Sequence, residues 1–263
     1  MSEARQYYQK TETAFRDLCP EQSGHMNFGM WPAPSLRTAQ ENLIRAVIAL
    51  YPTDRPPPRK IVEAGSGWGG ARALFHAAFP DAEYIGINMS ARQVEWAREL
   101  NHRIPNTSYH IGAIEDLPAA VLADADAFFA IEAAFHFKEK ATLLHNLRRA
   151  NIGVVAIADF VVSDRAAIAQ NVILRRTMPH VWSAEQYGIG LKQAGYSEIH
   201  CHDVSQDVFA GLANFLAARK ERGEMNGMIE RQLTAAAHDM ACLSADGALS
   251  YAFLSAATKS ERL

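Results

Sequence analysis

The residues with the clearest chemical signature run from Ile61 to Gly70, Ile61-Val62-Glu63-Ala64-Gly65-Ser66-Gly67-Trp68-Gly69-Gly70. An apolar run enters this stretch and a helix-forming run, Ala71 to Phe79, leaves it, so it reads as strand, tight turn and helix. Glycines suit such a turn because a backbone without Cβ reaches positive φ and lets a ligand lie against main-chain N–H groups at a helix start. The spacing Gly65-x-Gly67-x-x-Gly70 fits a dinucleotide fingerprint. A dinucleotide site, however, places an acid at the end of the second strand, where it holds a ribose hydroxyl. Here Asn88 stands at that end and the acid, Glu63, precedes the turn. A carboxylate beside the loop repels a pyrophosphate and attracts a cation. S-adenosyl-L-methionine, with its ammonium and sulfonium, matches that charge better than NAD does. The competing role for Glu63 is to serve the dipole of the following helix.

The elements that must carry this loop follow from the pattern on either side. Strand-like runs at Lys60–Ala64, Tyr84–Ile87, Ser108–Ile111, Ala127–Ile131 and Gly153–Phe160 alternate with helical runs ending near Phe79, at Ala91–His102 and at Lys138–Ala150. This alternation predicts a parallel sheet covered by helices on both faces. Two further strands are predicted, Glu198–Val204 and Ala248–Ala256, with a helical insertion at about 205–243 between them. Capping boxes are expected at Ser90 with Gln93 and at Ser183 with Gln186, and Gly195 is a C-cap glycine. Helices are also expected over 163–177 and over Glu3–Asp17, and another starting at Ser35. Pro52–Pro58 reads as a linker. The division is therefore 1–58, a helical cap and linker; 59–162, the cofactor-binding core; and 163–263, the remaining core with the lid insertion.

The chain has 263 residues, 49% of them apolar, and a net charge of -3. Without a basic run, neither a nucleic-acid nor an anionic-membrane surface is expected, and a small molecule is the expected partner. Cys19, Cys201 and Cys242 form no C-x-x-C pair, so they read as thiols in a reducing cytoplasm, with no metal site. The polar amino terminus and the lack of a long apolar run predict neither signal peptide nor anchor. Oligomeric state stays open, with a homodimer as one option.

Three segments in order, Glu63-Ala-Gly-Ser-Gly-Trp-Gly-Gly, Gly86-Ile-Asn-Met-Ser-Ala-Arg-Gln and Ile131-Glu-Ala-Ala-Phe-His-Phe, resemble the class I adenosylmethionine-dependent methyltransferases, in the branch acting on sterols and natural products. The resemblance covers nearly the whole chain and implies a Rossmann-like α/β fold, a doubly wound, mostly parallel seven-stranded sheet with an N-terminal helical cap. It also implies that Gly65, Ser66 and Gly67 face the methionine part and that Asn88, with Met89 beside it, meets the ribose. Gln93 would stand behind Asn88, and Ile131 would offer its backbone to the ammonium. The adenine loop departs from the family, because Ala113 replaces its usual acid and leaves Ile114 to serve by backbone or stacking.

On the same resemblance, His136 lies at the pocket floor, where an imidazole could take the proton of a hydroxyl acceptor. Bonding a backbone carbonyl is its alternative role. Glu132 is the second catalytic candidate. Tyr7, Tyr8, His25, Trp31 and Phe135 would line the acceptor side and Trp182 would close it, with core packing as the alternative for each. Oxygen leads as acceptor atom, carbon follows and nitrogen comes third. An NAD-binding oxidoreductase and a non-catalytic cofactor-binding protein are the other classes the sequence admits.

Overall fold

In the computed structural model, residues 23–117, 119–171, 174–175, 178–224 and 228–259 are described. Tyr7, Tyr8 and the helix expected over Glu3–Asp17 lie outside them. The strands are β1 (Lys60–Ala64), β2 (Glu83–Asn88), β3 (Thr107–Ile111), β4 (Ala127–Ile131), β5 (Val154–Val162), β6 (Glu198–Asp203) and β7 (Leu249–Ala257). They form one seven-stranded sheet in the order β3-β2-β1-β4-β5-β7-β6. The first five strands run parallel, and β7 is antiparallel to both neighbours. The expected doubly wound, mostly parallel sheet is therefore present, closed at one edge by the antiparallel pair β7 and β6.

Residues of β5 alternate strictly between the two faces. Ala156, Ala158, Phe160 and Val162 join a core that includes Phe75, Phe129 and Phe209, while Val155, Ile157 and Val161 join Leu143, Leu147 and Leu191. Helix α1 (Leu36–Ile48) is capped by Ser35, whose side chain accepts from Thr38 N. Its stripe of Leu43, Ile44 and Val47 is buried against the first face, each side chain contributing about 1.5–3 kcal/mol relative to exposure. Helix α2 (Arg72–Ala78) follows the glycine loop, and α3 (Ala91–Leu100) follows β2. Ser90 accepts from Gln93 N at the start of α3, but the Gln93 side chain turns to Asn88 instead of closing a capping box. The box at Ser183 and Gln186 closes, and Gly195 ends its helix with φ 100.

The helix expected over 163–177 is broken: Arg165–Gln170 is helical and Asn171 stops it with φ -86 and ψ 111. The Asn171 side chain accepts from Leu174 N, a local bond that competes with helix continuation. The insertion is a π turn (Gln206–Ala210) and two helices, Gly211–Glu221 and Met228–Ala245. Among the described residues, no helix is long and apolar enough to cross a membrane.

Candidate active site

The glycine loop is fixed by the strands beside it. Gly65 N and Ser66 N both donate to Ile87 O, at 2.8 and 3.1 Å, which draws the loop over the end of β2. Gly65 has φ 78, and a Cβ there would lie 2.2 Å from the Ala133 Cβ, so only glycine lets the loops after β1 and β4 meet. Asn101, at the end of α3, donates to Gly69 O at 3.0 Å and braces the loop from behind. The Ser66 hydroxyl is buried and has no hydrogen-bond partner among the described residues.

A cavity of about 260 Å³ opens over this loop, at the ends of β1, β2 and β4. That is the point where the sheet order reverses and where open α/β sheets bind ligands. Its lining includes Glu63, Gly65, Ser66, Gly67, Asn88, Met89, Gln93, Ala113, Ile114 and Ile131, the residues expected at the cofactor from the sequence. His25, Glu132, Phe135 and His136, expected near the acceptor, also line it. Gln93 Oε1 accepts from Asn88 Nδ2 at 2.6 Å and so orients the residue at the strand end.

Burial dominates the electrostatics. The Glu63 carboxyl accepts from the Tyr84 hydroxyl, and loss of water raises its pKa to about 7. It therefore presents less negative charge than the sequence suggests until a cation approaches. Its helix-dipole alternative fails, because α2 begins after Ala71 with no side-chain cap. Glu132 is raised to about 8 by burial, against hydrogen bonds from Phe28 N and the Tyr251 hydroxyl. His136 is lowered to about 3, first by burial and then by the Lys140 charge. His25 is lowered to about 4 by burial, with Glu41 3.9 Å away acting against that shift.

Residues 62–152 match the methyltransferase domain family. The chain is 28% identical over 213 residues to the O-methyltransferase cnsE of Penicillium expansum, covering 76% of this chain and 74% of that one. The chain carries a methyltransferase domain and is an S-adenosyl-L-methionine-dependent methyltransferase. It is also 27% identical over 247 residues to the O-methyltransferase resE of Aspergillus sclerotiorum, covering 89% of each chain. Its fold matches the geranyl diphosphate C-methyltransferase of Streptomyces coelicolor A3(2), solved with Mg2+, geranyl diphosphate and S-adenosyl-L-homocysteine. The TM-score is 0.71 at 14% identity, over 96% of this chain and 98% of that one. The dinucleotide alternative is thereby set aside.

The cofactor of this methyltransferase, S-adenosyl-L-methionine, fits the residues present. The loop offers Cβ-free positions for close approach, an orphaned buried Ser66 hydroxyl and a carboxyl able to ionise beside a cation. Two expected site residues are elsewhere. Trp31 packs against Phe215, with ring centroids 4.8 Å apart, and a Cβ on Gly211 would lie 2.2 Å from its own Cβ. It joins the cap to the insertion and leaves the wall to its neighbours. Trp182 lies on the opposite face of the sheet, against Tyr187, with Lys140 Nζ 5.6 Å from its ring. It packs that core and closes no cap.

The sequence reading missed Ile44, Phe160, Met178 and Met240, which complete the apolar wall, and Glu115 at its edge. No signal in the sequence separates the first four from ordinary core residues, because apolar periodicity reports burial without reporting a cavity. Glu115 accepts from Lys138 N at 2.8 Å, a bond that ties the loop after β3 to the turn after His136.

Proposed function

We propose that this methyltransferase methylates a hydroxyl oxygen of an uncharged, largely apolar, phenol-like small molecule. The observation that carries this reading is the acceptor side of the cavity, where His136 stands among Phe28, Phe135, Phe160, Met178 and Met240. Among the described residues lining the cavity there is no lysine or arginine. A phosphate or carboxylate on the acceptor would therefore be desolvated without a cationic partner. The names of the two fungal relatives support oxygen as the acceptor atom.

Gly65, Ser66 and Gly67 would hold the methionine part of the cofactor, Asn88 the ribose, and Ala113 with Ile114 the adenine. When bound, S-adenosyl-L-methionine supplies a methyl group on a sulfonium. The apolar wall excludes water and holds the acceptor in line, which is where most of the acceleration of such a displacement arises. His136 takes the hydroxyl proton as the oxygen loses charge to its new bond. Burial keeps the imidazole in its neutral, proton-accepting form at every working pH, and also makes it a weak base. So weak a base can take the proton only as the methyl–oxygen bond forms, and the mismatch is smaller for an acidic hydroxyl, such as a phenol or enol, than for an aliphatic alcohol.

His136→Ala should lower kcat by about 10²–10⁴-fold while the dissociation constant for S-adenosyl-L-homocysteine stays within about threefold by calorimetry. Turnover equal to wild type would assign His136 to structure. The second reading is carbon methylation, favoured by the aromatic rings of Phe28, Phe135 and Phe160, whose faces can steady a carbocation.

A further inference from the structure

We propose that Glu132 is a positioning residue, whose carboxyl ties the strap 24–31 and Tyr251 to the end of β4 and thereby sets the acceptor wall of the cavity. The proposal rests on the cavity being the acceptor site, but its geometry stands apart from which atom is methylated.

Glu132 immediately follows β4 and has φ 48, a left-handed conformation that costs a non-glycine residue about 1–3 kcal/mol and persists only where surrounding contacts enforce it. One such contact is Glu132 N donating to Ala158 O at 2.8 Å. The carboxyl supplies the others. Its Oε1 accepts from Phe28 N at 2.8 Å and from the Tyr251 hydroxyl at 3.0 Å. These partners stand 104 and 119 residues away in sequence, so one oxygen joins three remote parts of the chain.

Each partner leads to a wall of the cavity. Phe28 lines it and meets the Phe160 ring edge-on at 5.5 Å. The strap also crosses the glycine loop, because a Cβ on Gly70 would lie 2.5 Å from Gly24 and from His25. Tyr251 N donates to Ser205 Oγ at 2.8 Å, and Ser205 is where the insertion begins. Trp31 N donates to Asp207 O at 2.8 Å, joining the strap to the same root. Glu132 thus fixes the distance between the cap strap and the base of the insertion.

The same contacts make Glu132 a poor proton acceptor. Oε1 already receives two donors, and burial raises the carboxyl to about 8, so near neutrality it mostly carries a proton. A protonated carboxyl and an amide present the same carbonyl oxygen, which makes Glu132→Gln the conservative variant.

The test is amide hydrogen exchange on the full-length chain, followed by mass spectrometry of the peptide spanning 23–31, together with transfer of labelled methyl to 4-methylphenol, which stays protonated near neutrality, as the acceptor probe. Glu132→Ala and Tyr251→Phe should each speed exchange at the strap by about tenfold, the equilibrium worth of one such bond, and raise KM for the phenol more than they lower kcat. Glu132→Gln should rescue both readouts. If Glu132→Ala fails to fold, Tyr251→Phe carries the test. Unchanged strap exchange in the variants, or a kcat loss of about 100-fold in Glu132→Gln with slow exchange retained, would overturn the proposal and the latter would make Glu132 the base. The exchange readout needs no acceptor, so an inert phenol with faster strap exchange would count against oxygen methylation alone.

Discussion

At the scale of single residues, burial acts on the acids and on the imidazole in opposite directions. It raises Glu63 and Glu132 and lowers His136, because each charged form loses water that nothing replaces in full. The kcat profile should therefore show no inflection near pH 6.5 that disappears in His136→Ala, since the imidazole stays neutral down to about pH 3. Finding one would contradict the placement of His136. The glycine loop makes a second residue-level prediction. Gly65→Ala introduces a Cβ 2.2 Å from the Ala133 Cβ at φ 78, whereas Gly67→Ala, at φ 52, meets nothing nearer than the Met26 sulfur at 3.6 Å. Gly65→Ala should cost about 2 kcal/mol or more by urea denaturation, and Gly67→Ala distinctly less. Equal losses would mean that the loops after β1 and β4 are not in contact. Glu63, Gly65 and Asn88 were legible in the sequence because a tight turn after a strand leaves few residue types able to occupy those places. The protonation of Glu63 was not, because the Tyr84 hydroxyl that meets it arrives from the neighbouring strand.

At the scale of elements, the strap and the insertion are one assembly. Trp31 fills the space over Gly211 and stacks at a tilt on Phe215, so Trp31→Ala should destabilise the chain by about 3–5 kcal/mol, read by chemical denaturation. A loss below about 1 kcal/mol would show that the strap and insertion are independent. Strand positions were legible to within a residue or two, because fully buried parallel strands such as β5 leave continuous apolar runs. The aromatics were not legible in the same way. Trp31 and Trp182 both read as apolar residues near a pocket, yet one bridges strap and insertion while the other packs the far face of the sheet, and only the sheet order decides which. The Gln93 side chain went to Asn88 and not to its helix cap for a similar reason, since a nearby partner on the strand end competes with the local bond.

At the scale of the whole molecule, the buried titratable groups set a pH dependence of stability. Glu63 and Glu132 keep protons up to about 7 and about 8 in the folded chain, while the unfolded chain loses them near 4.5. Their contribution is present below that unfolded value and is lost as pH rises through 7 to 8. Asp159, buried beside Lys140, shifts upward in the same direction. His25 and His136 act oppositely, because they stay neutral where the unfolded chain binds protons, so their contribution is lost as pH falls below 6.5 toward 4. The thermal midpoint should therefore decline from pH 6.5 to about 7.5, above the unfolded value of the histidines and below about 8, where Lys140 starts to lose its proton and acts in the opposite sense. A rise over that range would show that Glu63 and Glu132 are ionised in the fold. Saturating S-adenosyl-L-homocysteine, whose ammonium favours the Glu63 carboxylate, should flatten the decline.

The central claim, that the cavity turns the methyl donor toward a hydroxyl of an uncharged acceptor, is tested most directly by locating the transferred carbon. Wild-type protein would be incubated with S-adenosyl-L-methionine carrying a 13C-labelled methyl and a mixed panel of phenols, amines and isoprenoid diphosphates, and the labelled product read by NMR. The label should appear as an O-methyl group on a phenol. A labelled methyl bonded to carbon or nitrogen, with the phenols untouched, would contradict the account.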